Sequence, residues 1–263
     1  MSFLAAYASS PRRSRAGGVA LRAASAAALI AIAIGTAGCS VKGADNANVI
    51  LGKQAFVAKC GSCHTLARAN TKGVVGPNLD EAFRSGLSEG LERNAVRGIV
   101  EGQVLNPNRE GVMPKNLAGG ATLSDIAAYV AQSVARTGPD TGLLASAVEA
   151  PGAGKPAVES GGKLQIDANP AGQLAYTASK AEATPGAVTV SMANMSGVAH
   201  NIAIETGSGG ATPASGGTVL GASSFTSKGT VSVTVTLKPG TYTFFCEAPG
   251  HRAAGMYGTL TVK

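Results

Sequence analysis

Tryptophan is absent from the chain, only 14% of its 263 residues are charged, and histidine and cysteine occur just three and four times. Low charge with 44% hydrophobic residues describes a soluble chain with apolar surface for two modest cores. The length is that of about two ordinary domains. Acidic residues are missing from positions 1–38, which hold Arg12, Arg13, Arg15 and Arg22. Without that stretch, 18 basic groups face 15 acidic ones, so the formal +7 is mostly a property of the leader. The remainder carries no nucleic-acid footprint. The apolar run Ala23–Gly38 has 16 residues, short of the about 20 needed to span a membrane. Following a positive segment, it reads as the core of an export signal. The cysteines do not form a disulfide framework, because Cys39, the Cys60/Cys63 pair and Cys246 sit in different settings.

The scarce residues carry the information. Thr36-Ala37-Gly38-Cys39 resembles a bacterial lipobox. That resemblance implies a signal peptide over 1–38, a lipid on Cys39, a lipid-anchored segment over 39–47, and a location outside the cytoplasm.

Cys60-Gly61-Ser62-Cys63-His64 is a C-x-x-C-H motif. Two thiols three residues apart on one helical turn can each add to a haem vinyl group, and the next residue reaches the iron. A redox dithiol would want a βαβ context, which is lacking. A zinc site would want two more ligands nearby, and no cysteine or histidine follows before His200. Residues 48–59 predict a short helix leading into the motif, with Ile50, Leu51 and Phe56 at compatible positions. Residues 123–135 predict a closing helix, with Ser124 as its N-cap and Ile126, Tyr129 and Val130 as its apolar stripe. Met113 is the one methionine between Cys60 and residue 137. Residues 48–137 resemble a class I cytochrome c domain through this motif, Gly52, Phe56, Tyr129, Gly76-Pro77-Asn78-Leu79 and Gly111-Val112-Met113-Pro114. The resemblance implies an all-α fold and one covalent haem c. It implies His64 and Met113 as axial ligands, and Pro77 as the residue whose carbonyl orients His64. Filling both axial positions favours electron transfer over oxygen chemistry.

Residues 138–162 are rich in Gly, Pro, Ala and Ser and show no periodicity, which predicts a flexible linker. From 163 to 263 the pattern changes to short β-type runs at 164–166, 188–190, 200–204, 230–237 and 241–245. Val231, Val233 and Val235 alternate with Ser232, Thr234 and Thr236, as in a half-buried strand. About 100 residues of this kind suggest a β-sandwich. Cys246 and His251 are separated by four residues, His251 and Met256 by four more, and His200 lies upstream. One thiolate, two imidazoles and a weak thioether are a blue-copper donor set, although a His/His/Cys set can also hold zinc. Met192 and Met195 read as packing residues.

His200-Asn201, Tyr242 to Cys246, Pro249-Gly250-His251 and Met256 to Leu260 resemble the plastocyanin and halocyanin branch of the cupredoxins. That implies an all-β Greek-key sandwich and one type 1 copper held by His200, Cys246, His251 and Met256. It also implies Asn201 as a hydrogen-bonding support of the ligand loop, and His251 as the electron port.

Together these readings predict a multidomain, membrane-anchored electron carrier that is not an enzyme. It would exchange electrons with redox proteins of a membrane chain. The donor would be a complex such as a quinol-oxidising one, and the acceptor a terminal oxidase or reductase. An electron-donating subunit of a larger oxidase or reductase, and a copper-binding or redox-sensing lipoprotein, are the competing readings.

Overall fold

The computed structural model of the protein describes residues 46–263. The proposed signal peptide and Cys39 lie outside these residues. Among the described residues, no helix is long and apolar enough to cross a membrane.

The chain is mixed α and β. It begins with α1 (Val49–Lys59), capped by Asn48, whose Oδ1 accepts from the backbone N–H of Ile50 and Leu51. A two-residue ladder follows, β1 (Thr65–Leu66) with β2 (Thr71–Lys72). The sequence reading anticipated neither this ladder nor the two helices after it. These are α2 (Leu79–Ser88), capped by Asn78, and α3 (Arg93–Leu105). Helix α4 spans Gly120–Ser133, three residues earlier than predicted. Ser124 is therefore not its cap. It sits inside the helix, and its hydroxyl accepts from Arg97.

Helices α1 and α4 cross in near contact, because Gly52 has no side chain. A Cβ there would fall inside the Asp125 carbonyl and only 3.0 Å from the Tyr129 Cβ. Phe56 and Tyr129 meet beside the crossing with ring centroids 6.2 Å apart. With Val57, Leu66, Val96, Ile126 and Val130 they form the first core. The backbone N–H of Asn48 donates to Asp125 Oδ1 at 2.7 Å, tying the start of α1 to α4.

The predicted flexible linker is packed instead. Asp140 has no side-chain exposure; it pairs with Lys53 Nζ at 3.0 Å and accepts from the Tyr129 hydroxyl at 2.9 Å. Its other oxygen makes no hydrogen bond, but sees Arg68 Nη1 at 3.6 Å as a charge contact. Lys53 Nζ also donates to the Leu144 carbonyl at 2.7 Å, and Leu144 and Val148 pack on the first core. The stretch ends in β3 (Ala157–Val158), which already belongs to a sheet of the second core. Glycine- and proline-rich composition signalled an irregular path, but carried no signal of the buried carboxylate that fixes it.

The second half contains β4 (Lys163–Gln165), β5 (Lys180–Ala183), β6 (Gly186–Asn194), β7 (Ala203–Thr206), β8 (Val219–Ala222), β9 (Gly229–Leu237) and β10 (Gly240–Phe245). After β10 come a single helical turn, α5 (His251–Ala254), and β11 (Tyr257–Val262). Six strands run in the order β3-β5-β11-β10-β7-β8, and three in the order β4-β6-β9. Inward residues of the smaller sheet, among them Leu164, Val188, Val190, Met192 and Leu237, share one core with Ile204, Phe244, Leu260 and Val262 of the larger. This is a β-sandwich, with alternation setting the buried face. Met192 fills the core as predicted, whereas Met195 is 65% exposed and lies outside that core.

Candidate metal centre

The register of the large sheet gathers the second set of candidate ligands. Phe245 pairs with Tyr257 on one side and Ala203 on the other. Cys246, Met256 and His200 therefore all leave the sheet at the same end. The predicted strand over 200–204 begins only at Ala203, and His200 forms an isolated two-way bridge with Thr226, N–H to carbonyl at 2.9 Å in each direction. That bridge fixes the backbone of His200 and so aims its ring.

The loop from Cys246 to Met256 is closed on itself. The Cys246 N–H donates to the Met256 carbonyl at 3.1 Å, and the Met256 N–H to the His251 carbonyl at 2.9 Å. Gly250 and Gly255, at φ +80° and +119°, supply the left-handed turns at the two ends of α5.

His200 Nδ1 and His251 Nδ1 lie 3.1 Å apart, and Cys246 Sγ lies 3.5 Å from the second and 3.9 Å from the first. A cation with donor bonds of about 2.0–2.3 Å at tetrahedral angles sets its ligand atoms about 3.3–3.7 Å apart, so the triangle has the right size for one metal ion. His200 and Cys246 are buried and His251 half-buried. Burial lowers the pKa of both histidines, that of His200 to about 4 with further help from His251, so both imidazoles are neutral near pH 7. Burial raises that of the Cys246 thiol, opposed by backbone N–H groups of Asn201 and Ala248. Met256 is fully buried in the same core cluster as Cys246. The outer nitrogen of His200, Nε2, is buried without a hydrogen-bond partner.

Asn201 bridges the ligand strand and the ligand loop. Its Oδ1 accepts from the Glu247 N–H at 2.9 Å, and its Nδ2 donates to Glu247 Oε2 at 2.8 Å. Its own carbonyl accepts from the buried Tyr176 hydroxyl at 2.8 Å. Substituting Asn201→Ala leaves the Glu247 N–H without its acceptor. Copper affinity is expected to fall about 10- to 100-fold, as losses of ligand-supporting bonds do. A competitive chelator titration checks this.

Sequence reasoning missed Arg252 and Glu205. Arg252 follows His251 and lies 4.0 Å over the Phe245 ring. It donates to Glu205 Oε2 at 2.7 Å, and to the carbonyls of Gly210 at 2.8 Å and Thr212 at 3.0 Å. It pins the turn that carries His251. Its position next to a candidate ligand was visible in the sequence, but its hydrogen-bond partners lie 40 or more residues away.

Residues 163–263 match the family model of copper binding proteins, plastocyanin/azurin family. The C-terminal domain is a cupredoxin. No curated protein matches the chain. Similar solved structures include an auracyanin from Roseiflexus castenholzii, 26% identical, covering 40% of this chain and 99% of that one at a TM-score of 0.33. Auracyanin A from Chloroflexus aurantiacus, a "blue" copper protein, is 27% identical, with coverage of 38% and 98% and a TM-score of 0.33. Rusticyanin from Thiobacillus ferrooxidans is 23% identical, with coverage of 40% and 80% and a TM-score of 0.31.

Outside the cupredoxin domain, the other candidate residues cluster on the turn after α1. Cys60 is buried, Cys63 half-buried, and both are free thiols. Burial, with the neighbouring Cys63, pushes the Cys60 thiol up to about 12 against the pull of Lys59. His64 Nδ1 lies 2.9 Å from the Pro77 carbonyl. A carbonyl only accepts, so Nδ1 carries the proton and Nε2 keeps its lone pair. Gly76 sits against the His64 ring, leaving no room for a Cβ. Met113 is half-buried in the irregular stretch between α3 and α4, in a different segment from these residues.

Proposed function

We propose that the protein is an extracytoplasmic, lipid-anchored electron carrier, not an enzyme. It relays single electrons between a covalent haem c in residues 48–137 and a type 1 copper in residues 163–263. The observation that carries the reading is the convergence of His200, Cys246 and His251 at one end of the sandwich, with Met256 buried beside them. A soft thiolate with two imidazoles suits both copper oxidation states. Burial of the donors and the hydrogen-bonded loop limit rearrangement when the charge on the metal changes.

The haem part of the reading is supported by the chemistry of its donors. Cys60 and Cys63 offer two thiols on one turn, and the Pro77 carbonyl holds His64 with Nε2 free to bind iron. Bound there, the haem supplies a one-electron couple. Cys60 and Cys63 would tether it, His64 and Met113 would take its two axial positions, and Gly76 lets the chain pass flat over the His64 ring. The proposed partners are redox proteins of the membrane chain, and the proposed anchor is a lipid on Cys39.

Visible spectra of oxidised and reduced protein, with metal analysis, test the reading. One iron and one copper per chain are expected. A chain holding zinc alone in its C-terminal domain ends it. Met113→Ala is expected to keep the haem covalently attached while opening its distal face to added imidazole. Titration of the haem spectrum checks this, and an unchanged response assigns the axial position to another residue.

A further inference from the structure

We propose that the copper-ligand loop is docked on the C-x-x-C-H turn of the same chain, so that His251 serves an internal partner. The inference rests on the relay reading above, and concerns how the two halves meet.

The described residues belong to one compact unit. Within it, residues 73–76 are laid directly on the motif turn. A Cβ on Gly73 would stand 2.5 Å from the carbonyl carbons of Ser62 and Cys63, and the Gly76 N–H donates to the Cys63 carbonyl at 2.8 Å. Gly76 touches the His64 ring. Between these two glycines the chain pushes out Val74, and a Cβ on Gly250 would lie 3.2 Å from its Cγ2. Gly250 is bonded to His251. The path from one candidate centre to the other is thus His64, Gly76, two peptide units to Val74, one close approach through space, Gly250 and His251. A relayed electron oxidises one centre as it reduces the other, with no bond made or broken and no proton moved.

A second contact fixes the same arrangement. Gly172 of the cupredoxin domain lies on the backbone of Ala58 in α1, and a Cβ there would come 2.8 Å from the Ala58 carbonyl oxygen. The connecting segment is fastened at both ends. Gln54 donates to the Ala147 carbonyl at 2.9 Å, next to the Lys53–Leu144 bond. On the other side, Gln173 donates to the Glu149 carbonyl at 3.1 Å and the Gly154 N–H to the Thr177 carbonyl at 2.9 Å. No slack segment remains among the described residues to let the domains swing apart. Beside the Val74 contact a cleft of about 330 Å³ stays open, with Gly61, Thr71 and Lys72 on one wall and Gln173, Gly255 and Tyr257 on the other.

Two measurements on the matured protein test this. Backbone ¹⁵N relaxation is expected to give one rotational correlation time for both halves; two independent times overturn the docking, whether or not the chain holds haem. Val74→Glu places a charge in the contact. Val74 is 72% exposed, so the fold is expected to survive. With both midpoint potentials unchanged, the internal electron-transfer rate after flash reduction is expected to fall about 10- to 100-fold, as geometry-dependent steps do when a contact moves by an ångström. An unchanged rate overturns the route through Val74. Failure of the relay reading is told apart by the wild-type spectrum, which would then lack one of the two metals.

Discussion

Replacing Cys246 by serine is expected to abolish the intense visible absorption of the copper site and to leave the bands of the proposed haem in place. Cys246 is the only sulfur in the three-residue cluster, and its Sγ is the atom whose charge transfer to Cu(II) would colour the protein. A serine hydroxyl is a poor donor at neutral pH, and the two neutral imidazoles alone do not supply the charge that the thiolate brings. Weakening bonds around a ligand costs about 10- to 100-fold in affinity, and losing the ligand costs more. The fold should be spared, because Cys246 and serine are close in size and the Cys246 N–H to Met256 carbonyl bond is a main-chain bond. An absorption spectrum with copper analysis reads both quantities. A variant that kept the band would show that the colour arises elsewhere.

The second large effect is expected at the helix crossing. Gly52→Val puts a branched side chain where even a Cβ overlaps the Asp125 carbonyl, and that obstacle is backbone of α4, which cannot rotate aside. Forcing extra atoms into a packed core costs about 1–3 kcal/mol and sometimes more. At the upper end this lowers the melting temperature by about 6–12 °C. The helices must separate to admit the side chain, which also breaks the Asn48 to Asp125 bond and the Phe56–Tyr129 contact. Thermal unfolding followed by helical circular dichroism measures the loss. A melting point within a degree of the parent would mean that α1 and α4 do not cross at residue 52.

What the sequence made legible was whatever rests on local chemistry or on period. The alternation of Val231, Val233 and Val235 named a strand, and the spacing of Cys246, His251 and Met256 named a loop between two strands. Helix α1 was readable from its apolar positions and its lead into the motif. Helices α2 and α3 carry Gly86, Gly98 and Gly102, which weaken intrinsic helix propensity, and no local motif marks them. Ser124 was misjudged because a hydroxyl before an apolar stripe looks like a cap, and only the fold reveals Arg97 beside it. The segment after residue 137 was misjudged for a deeper reason. Its order comes from Lys53, Arg68 and Tyr129, which lie far away in sequence, and composition registers only local preference. Arg252 belongs to the same class: its role exists only once Glu205 and Gly210 have been folded against it.

The buried Asp140 carboxylate also bears on the order in which the chain can mature. Until it arrives, the ammonium of Lys53 has no anion inside the first core, and Leu144 and Val148 are still missing from its wall. The helical half therefore cannot close with the chain folded only as far as residue 137; it needs residues 138–148, through Asp140 and on to Val148. Asp140, Leu144 and Val148 thus act as the latch of the first core.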